Sequence, residues 1–219
     1  MKKFQLINAD TKTIIHPNTG LPVKLFRIYA LKTIQNGRIH IPEGSIGGYV
    51  RSEANLNNDP EDNSWVCHEG MVFDDAFVTN GGIVMQKAAA FGNAIVDHTM
   101  VQDHSRVYGS CKIYNSQLSG KTDVYGTSFL DFCNLYNSCK VSGNAKLKNC
   151  KLYHGAFVTD NSVLDNCELY DQSRVYGDSN LINCKLSSAV LIRDQVLVNE
   201  TISREIELQQ SYPSIQGQF

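Results

Sequence analysis

Leu135, Leu152, Leu169 and Leu186 each close a Cys-x-Leu triplet and stand 17 residues apart. The same register runs backward through Leu118 to Val101 and, with Val84, sets one apolar column. Six places on from each member stands a second column, Val107, Val124, Val141, Val158 and Val175. Six places further stands a third, Ile113, Leu130, Leu147, Leu164 and Leu181. The chain thus advances 6, 6 and 5 residues between apolar positions. A helix needs a period of about 3.6, and hairpin sheets have no cause to hold a fixed long one. Three short strands per coil satisfy both numbers, each coil stacking on the last at about 4.8 Å so that like residues form parallel ladders.

The position two places before each column residue is small throughout. Beside the second column it reads Ser105, Thr122, Cys139, Ala156 and Ser173, and beside the third Cys111, Ser128, Ala145, Ser162 and Ser179. Beside the first it reads Thr99, Ser116, Cys133, Cys150, Cys167 and Cys184. A narrow triangular coil packed to crystal-like density leaves room only for small inward neighbours. Six of the seven cysteines occupy this slot, Cys67 being the exception, where a free thiol acts as a small apolar group. Cysteines one coil apart in a straight ladder cannot surround a tetrahedral metal, so no metal site is expected. Asn115, Asn149, Asn166 and Asn183 mark one corner and Gly109, Gly126, Gly143 and Gly177 another, as left-handed turns require.

Going backward, Val66, Val72, Val78 and Val84 give a coil of 18 residues, and Val50 and Leu56 begin the solenoid. The segment NNDPEDNS, Asn57 to Ser64, reads as a protruding loop. Residues 1–45 differ in kind: KFQLINA and LPVKLFRIYALKTI are strand-like, with turns at HPNTG and QNGR, and fit a small β cap over the open end. The fold expected is all-β: a single-stranded β-helix of about eight triangular rungs over residues 46–200, with the cap before it and a C-terminal strand and tail over 201–219. The formal net charge of −2 gives no footprint for nucleic acid, no apolar stretch is long enough to span a membrane, and the N-terminus lacks an apolar leader. With its cysteines read as thiols, the chain reads as cytoplasmic.

RIYAL (Arg27 to Leu31), EGSIGGYV (Glu43 to Val50) and SWV (Ser64 to Val66), followed by repeated V-Y-G units, resemble the YdcK-like group of bacterial and phage or prophage proteins. That group is related to the hexapeptide-repeat family, and the resemblance spans roughly the whole chain. It implies a left-handed β-helix and a phage-derived protein acting on a host component. Members are labelled acyltransferases through the fold, an association and not a mechanism.

For catalysis the sequence offers His98 and His104, each preceded by an Asp, at successive corners of one turn. The default for both is a solvated corner. His98, His104 and His154 lie on different coils and show no zinc-ligand spacing, and no phosphate-binding or nucleophile-elbow motif occurs. The outer faces instead carry tyrosine: Tyr136, Tyr153 and Tyr170 after the first-column leucines, and Tyr108, Tyr125 and Tyr176 after the second-column valines. These six are the candidate binding residues, since tyrosine pairs apolar area with a polar tip. Like residues also stack well on any β surface.

The expectation is a non-enzymatic scaffold or protein-binding module without a cofactor, with a protein partner, no nucleic acid and no membrane; a homodimer or homotrimer is compatible. The alternatives are an acyl-CoA-dependent acyltransferase and a carbohydrate binder. The register makes a direct prediction. Leu152→Ala should destabilise the fold by about 2–5 kcal/mol in denaturant titration, as a buried truncation does. The neighbouring Lys151→Ala should be near neutral, and equal effects would refute the register.

Overall fold

The structure is a computed structural model that describes residues 2–37, 39–203 and, as backbone, 207–208. It is a β-solenoid of about eight turns, and the sequence columns are its three inner walls. Among the described residues the three sheets hold twelve, eight and nine strands. Face one carries Val107, Val124, Val141, Val158 and Val175, face two Ile113, Leu130, Leu147, Leu164 and Leu181, and face three Leu118, Leu135, Leu152, Leu169 and Leu186. Every pairing between successive coils is parallel and in register, and these column residues are 0–1% exposed.

Beside face three the small slot has a hydrogen-bonding role as well as a steric one. At the corner between faces two and three, Thr99 Oγ1 donates to the Asp97 carbonyl (2.8 Å) and Ser116 Oγ to that of Tyr114 (2.5 Å). Cys133, Cys150, Cys167 and Cys184 donate through Sγ to Asp131, Lys148, Asp165 and Ile182 at 3.1–3.3 Å. Each side chain adds a second donor to the carbonyl two residues back, which also accepts the corner amide of the next coil, as Asn149 does on Asp131 and Asn166 on Lys148. Every residue in this column is thus small and carries a donor, and Cys is the apolar member of that set. Burial pushes the Cys111 thiol up to about 12 and the Cys67 and Cys139 thiols up to about 11, so these groups are inert thiols. The residue at this corner is left-handed in successive coils, Asn115, Asn149, Asn166 and Asn183 having φ of 47–53°, and the amides of Asn166 and Asn183 continue as a hydrogen-bonded ladder to Asn199.

The N-terminal cap is continuous with face one. Strand β1 (Phe4–Ile15) pairs antiparallel with β2 (Pro22–Ala30), β2 pairs antiparallel with β5 (Ile46–Val50), and β5 pairs in parallel with Met71–Val72. A short hairpin, β3 (Ile34–Asn36) and β4 (Ile39–Ile41), lies beside it. The joint explains the Gly-Gly-Tyr-Val sequence. A Cβ on Gly47 would lie 2.7 Å from the Val66 carbonyl oxygen, and one on Gly48 2.5 Å from that of Gly70, so cap and first coil meet backbone to backbone. Arg27 clamps the joint: its guanidinium donates to the carbonyls of Gly47 (3.1 Å) and His68 (2.9 Å), pairs with Asp10 and Glu69, and lies 4.1 Å over the Tyr49 ring.

Two expectations need correction. The Asn57 to Ser64 segment does not simply protrude; it is the lock of the cap. Lys3, fully buried, places Nζ on Asp62 Oδ1 (2.6 Å), the Asp62 and Ser64 carbonyls and Ser64 Oγ, while Asn58 Oδ1 accepts from the amides of Lys3 and Phe4. Sequence alone shows a charged, proline-containing insertion, and the partner that folds it inward is 59 residues away. At the other end the solenoid does not stop at 200: Thr201–Ile202 pairs with Lys185–Leu186, and Glu207–Leu208 pairs with Leu191–Ile192. The tail after 208 lies outside the described residues. No helix among the described residues is long and apolar enough to cross a membrane.

Burial raises the Asp62 carboxyl, but the donors from Lys3 and from the Ser64 hydroxyl and amide outweigh it and hold the group below its ordinary value. A depressed carboxylate adds stability that is complete above about pH 5 and is lost as pH falls through its folded-state value. Asp62→Asn should therefore lower stability at neutral pH by about 3–5 kcal/mol, because it leaves the buried Lys3 charge uncompensated. It should also flatten the acid limb of a stability–pH curve, and an unchanged limb would show that Asp62 is not the lock.

Candidate functional site

Face three carries three of the six candidate tyrosines. The tyrosines that follow its leucines stack: Tyr136 on Tyr153 with ring centroids 5.4 Å apart, and Tyr153 on Tyr170 at 4.9 Å and 8°. In-register parallel strands force this geometry, since like residues sit one strand spacing apart. The rings face one another along the solenoid axis and turn their edges and hydroxyls outward. Lys185 Nζ lies 5.3 Å over the Tyr170 ring and covers the end of the stack. The Tyr136 hydroxyl lies 3.4 Å from Gln117 Oε1, and the Tyr170 hydroxyl donates to Glu168 Oε2 (2.9 Å).

Beside the ladder Glu168 stands between Lys151 (3.1 Å) and Lys185 (3.6 Å). The hydrogen bond from Lys151, followed by that from Tyr170, holds the Glu168 carboxyl below its ordinary value. Burial, then the bond to Glu168, pushes the Tyr170 phenol up to about 12. At neutral pH Tyr170 is thus an un-ionised phenol at the end of the ladder, beside a Lys–Glu–Lys trio of net charge +1.

Toward the cap the same face runs into a groove. The tip of the β3–β4 hairpin is tied to the solenoid by Asn36 Nδ2, which donates to the carbonyls of Gly81 (2.6 Å) and Asn63 (3.0 Å). Hollows of about 510 and 370 Å³ flank the tip, and His98 borders both. The second is floored by Met100, Gln117 and Asn134 and so leads to the tyrosine ladder. His98 takes the left-handed corner position, with φ 45°. Its Nδ1 donates to the Asn80 carbonyl (3.1 Å), which leaves Nε2 as the acceptor in the neutral ring.

The structure does not join the sequence candidates into a catalytic pair. Asp97 accepts from Asn80 Nδ2 (2.8 Å) and Asp103 from the Gly120 amide (2.7 Å), so neither aspartate orients the histidine after it. His104 is exposed at the corner between faces three and one, away from the groove that His98 borders. His154 stands beside Asp171 (3.7 Å) on another coil. Among the described residues no group of three His, Cys, Asp or Glu side chains could hold a metal ion.

The second tyrosine set is split. Tyr108 and Tyr125 extend a stack that begins with Phe73 and Phe91 under the cap, with centroids 4.9–5.0 Å apart. Ser142 and Thr159, hydrogen bonded to each other (2.8 Å), occupy the next two rungs and separate Tyr176, which lies under Arg193 (5.4 Å).

One pair was not legible in the sequence. His16 Nε2 donates to Asp74 Oδ2 (2.9 Å) across 58 residues, while Nδ1 accepts the amides of Asn18 and Thr19 (3.1 Å each). The ring is set edge-on to Phe73 and Phe91 at 5.6 and 5.7 Å. Both nitrogens are committed, so this buried dyad pins the β1–β2 turn to the first coils and has no lone pair for a substrate. No protein-family model and no curated protein matches the chain.

Proposed function

We propose that the protein is a binding scaffold that recognises a partner protein through face three, centred on Tyr136, Tyr153 and Tyr170. The observation that carries this reading is the stack itself. Rigid aromatic side chains already held in place lose little conformational freedom on contact, and tyrosine hydroxyls beside a Lys–Glu–Lys trio can answer backbone and side-chain polar groups. The ring faces are taken up by one another and by Lys185, which leaves edges for a partner and little open aromatic face for a sugar ring to stack on. This geometry favours a protein partner over the carbohydrate reading. The resemblance to the YdcK-like group supports a scaffold of the same kind, and the residues that carry it, Arg27, Gly47, Gly48 and Trp65, serve the cap joint.

A second reading has one observation in its favour. His98 holds its proton on Nδ1 and keeps Nε2 as an acceptor beside a groove, which is how a general base for acyl transfer must be arranged.

One pair of measurements decides between them. In affinity capture from the native organism followed by quantitative mass spectrometry, Tyr153→Ala should reduce recovery of the specific partner at least tenfold, while Arg174→Ala, on face one, should leave it unchanged. Identical recovery from wild type and Tyr153→Ala would contradict the proposal. Calorimetry with acetyl-CoA should show no saturable binding; micromolar binding abolished by His98→Ala would establish the acyl-transfer reading instead.

A further inference from the structure

Apart from Ile15, Leu21 and Ile46 in and beside the β1–β2–β5 sheet, every exposed large hydrophobic side chain among the described residues lies on face two or the corner it leads into: Phe129, Phe132, Val163, Ile182, Val196 and Val198, at 38–71% exposure. Faces one and three have none. An outward apolar patch confined to one wall of a solenoid whose other walls are polar marks an interaction surface.

Phe132 adds an independent sign. It occupies the left-handed corner position, with φ 52°, that Asn115, Asn149, Asn166 and Asn183 fill in neighbouring coils. Asn tolerates that conformation, whereas a bulky aromatic adopts it rarely and under strain. Here the strained residue is also 56% exposed, so most of its surface gains no internal packing from its position.

The charges of face two indicate the occupant. One outward column reads Asp131, Lys148 and Asp165 on successive rungs, and the other reads Phe129, Lys146 and Val163. A two-fold axis along the strands reverses the rung order and lays each column over its own copy. Lys148 of one molecule then meets Asp131 or Asp165 of the other, while the stem of Lys146 lies over Phe129 or Val163. An axis along the solenoid would instead place Lys146 against Lys148. The eight strands span roughly 35 Å by 13 Å in plan, about 450 Å² per partner before side-chain relief, the size of a weak, reversible interface.

We infer that face two is the interface between two antiparallel copies of this chain. The dimer turns the tyrosine ladders of its two subunits outward and does not depend on what they bind.

Sedimentation velocity and light scattering on the full chain at tens of micromolar should give twice the monomer mass of 24.4 kDa. Val163→Glu with Ile182→Glu should give a monomer with an unchanged far-UV spectrum. Lys148→Asp, a surface change that leaves the core intact, should weaken association at least tenfold, and adding Asp131→Lys or Asp165→Lys should restore it. A wild-type monomer at 100 µM, a dimer indifferent to the Val163 and Ile182 changes, or one lost on Tyr153→Ala would each overturn the inference.

Discussion

Everything in this protein depends on parallel, in-register pairing of one coil with the next. The ladder bonds run from Gln117 N to Cys133 O, Asn134 N to Cys150 O and Lys151 N to Cys167 O at 2.9 Å, rung after rung. Because each coil lies directly over its predecessor, any residue chosen once is set beside itself repeatedly. Leucine under leucine makes the core, thiol under thiol lines a corner, amide under amide closes a turn, and phenol under phenol makes a surface. The aromatic strip of face three is thus a by-product of the rule that builds the core, turned outward.

Stacking also creates the principal hazard of the fold, since the first coil exposes unpaired strand edges. The N-terminal 50 residues answer this with a lateral sheet that continues face one, a glycine joint that lets backbones touch, and an ion pair, Lys3 with Asp62, buried beneath the insertion. The most specific sequence elements, Arg27 and the Gly-Gly-Tyr-Val run, sit where the regular pattern must be started. Their chemistry is structural, so any function carried by the molecule has to be sought on the faces of the coils.

The solenoid was legible because its signal is periodic: seventeen-residue recurrence fixes inward and outward positions without knowledge of partners. The tyrosine ladder Tyr136–Tyr153–Tyr170 followed from the same register, whereas Tyr108, Tyr125 and Tyr176 read as one set and are divided in the structure by Ser142 and Thr159. The cap could be assigned only to strands, since its contacts join residues 54–61 apart with no repeat to announce them. His16 and Asp74 were invisible for that reason, and the Asn57 to Ser64 insertion read as a free loop because Lys3 gives no local sign of being buried. The cysteine slot was legible as a matter of size; that its residues also donate emerges only when the carbonyl two residues back is located.

If register is the organising constraint, the protein should tolerate loss of a whole coil and not of half a coil. Deleting residues 150–166 joins Asn149 to Cys167 and so recreates the Asn-Cys corner with every ladder intact. Thermal denaturation followed by circular dichroism should then show a cooperatively unfolding β protein of somewhat lower stability, whereas deleting 150–158 should abolish the transition. Equal behaviour of the two deletions would contradict the account.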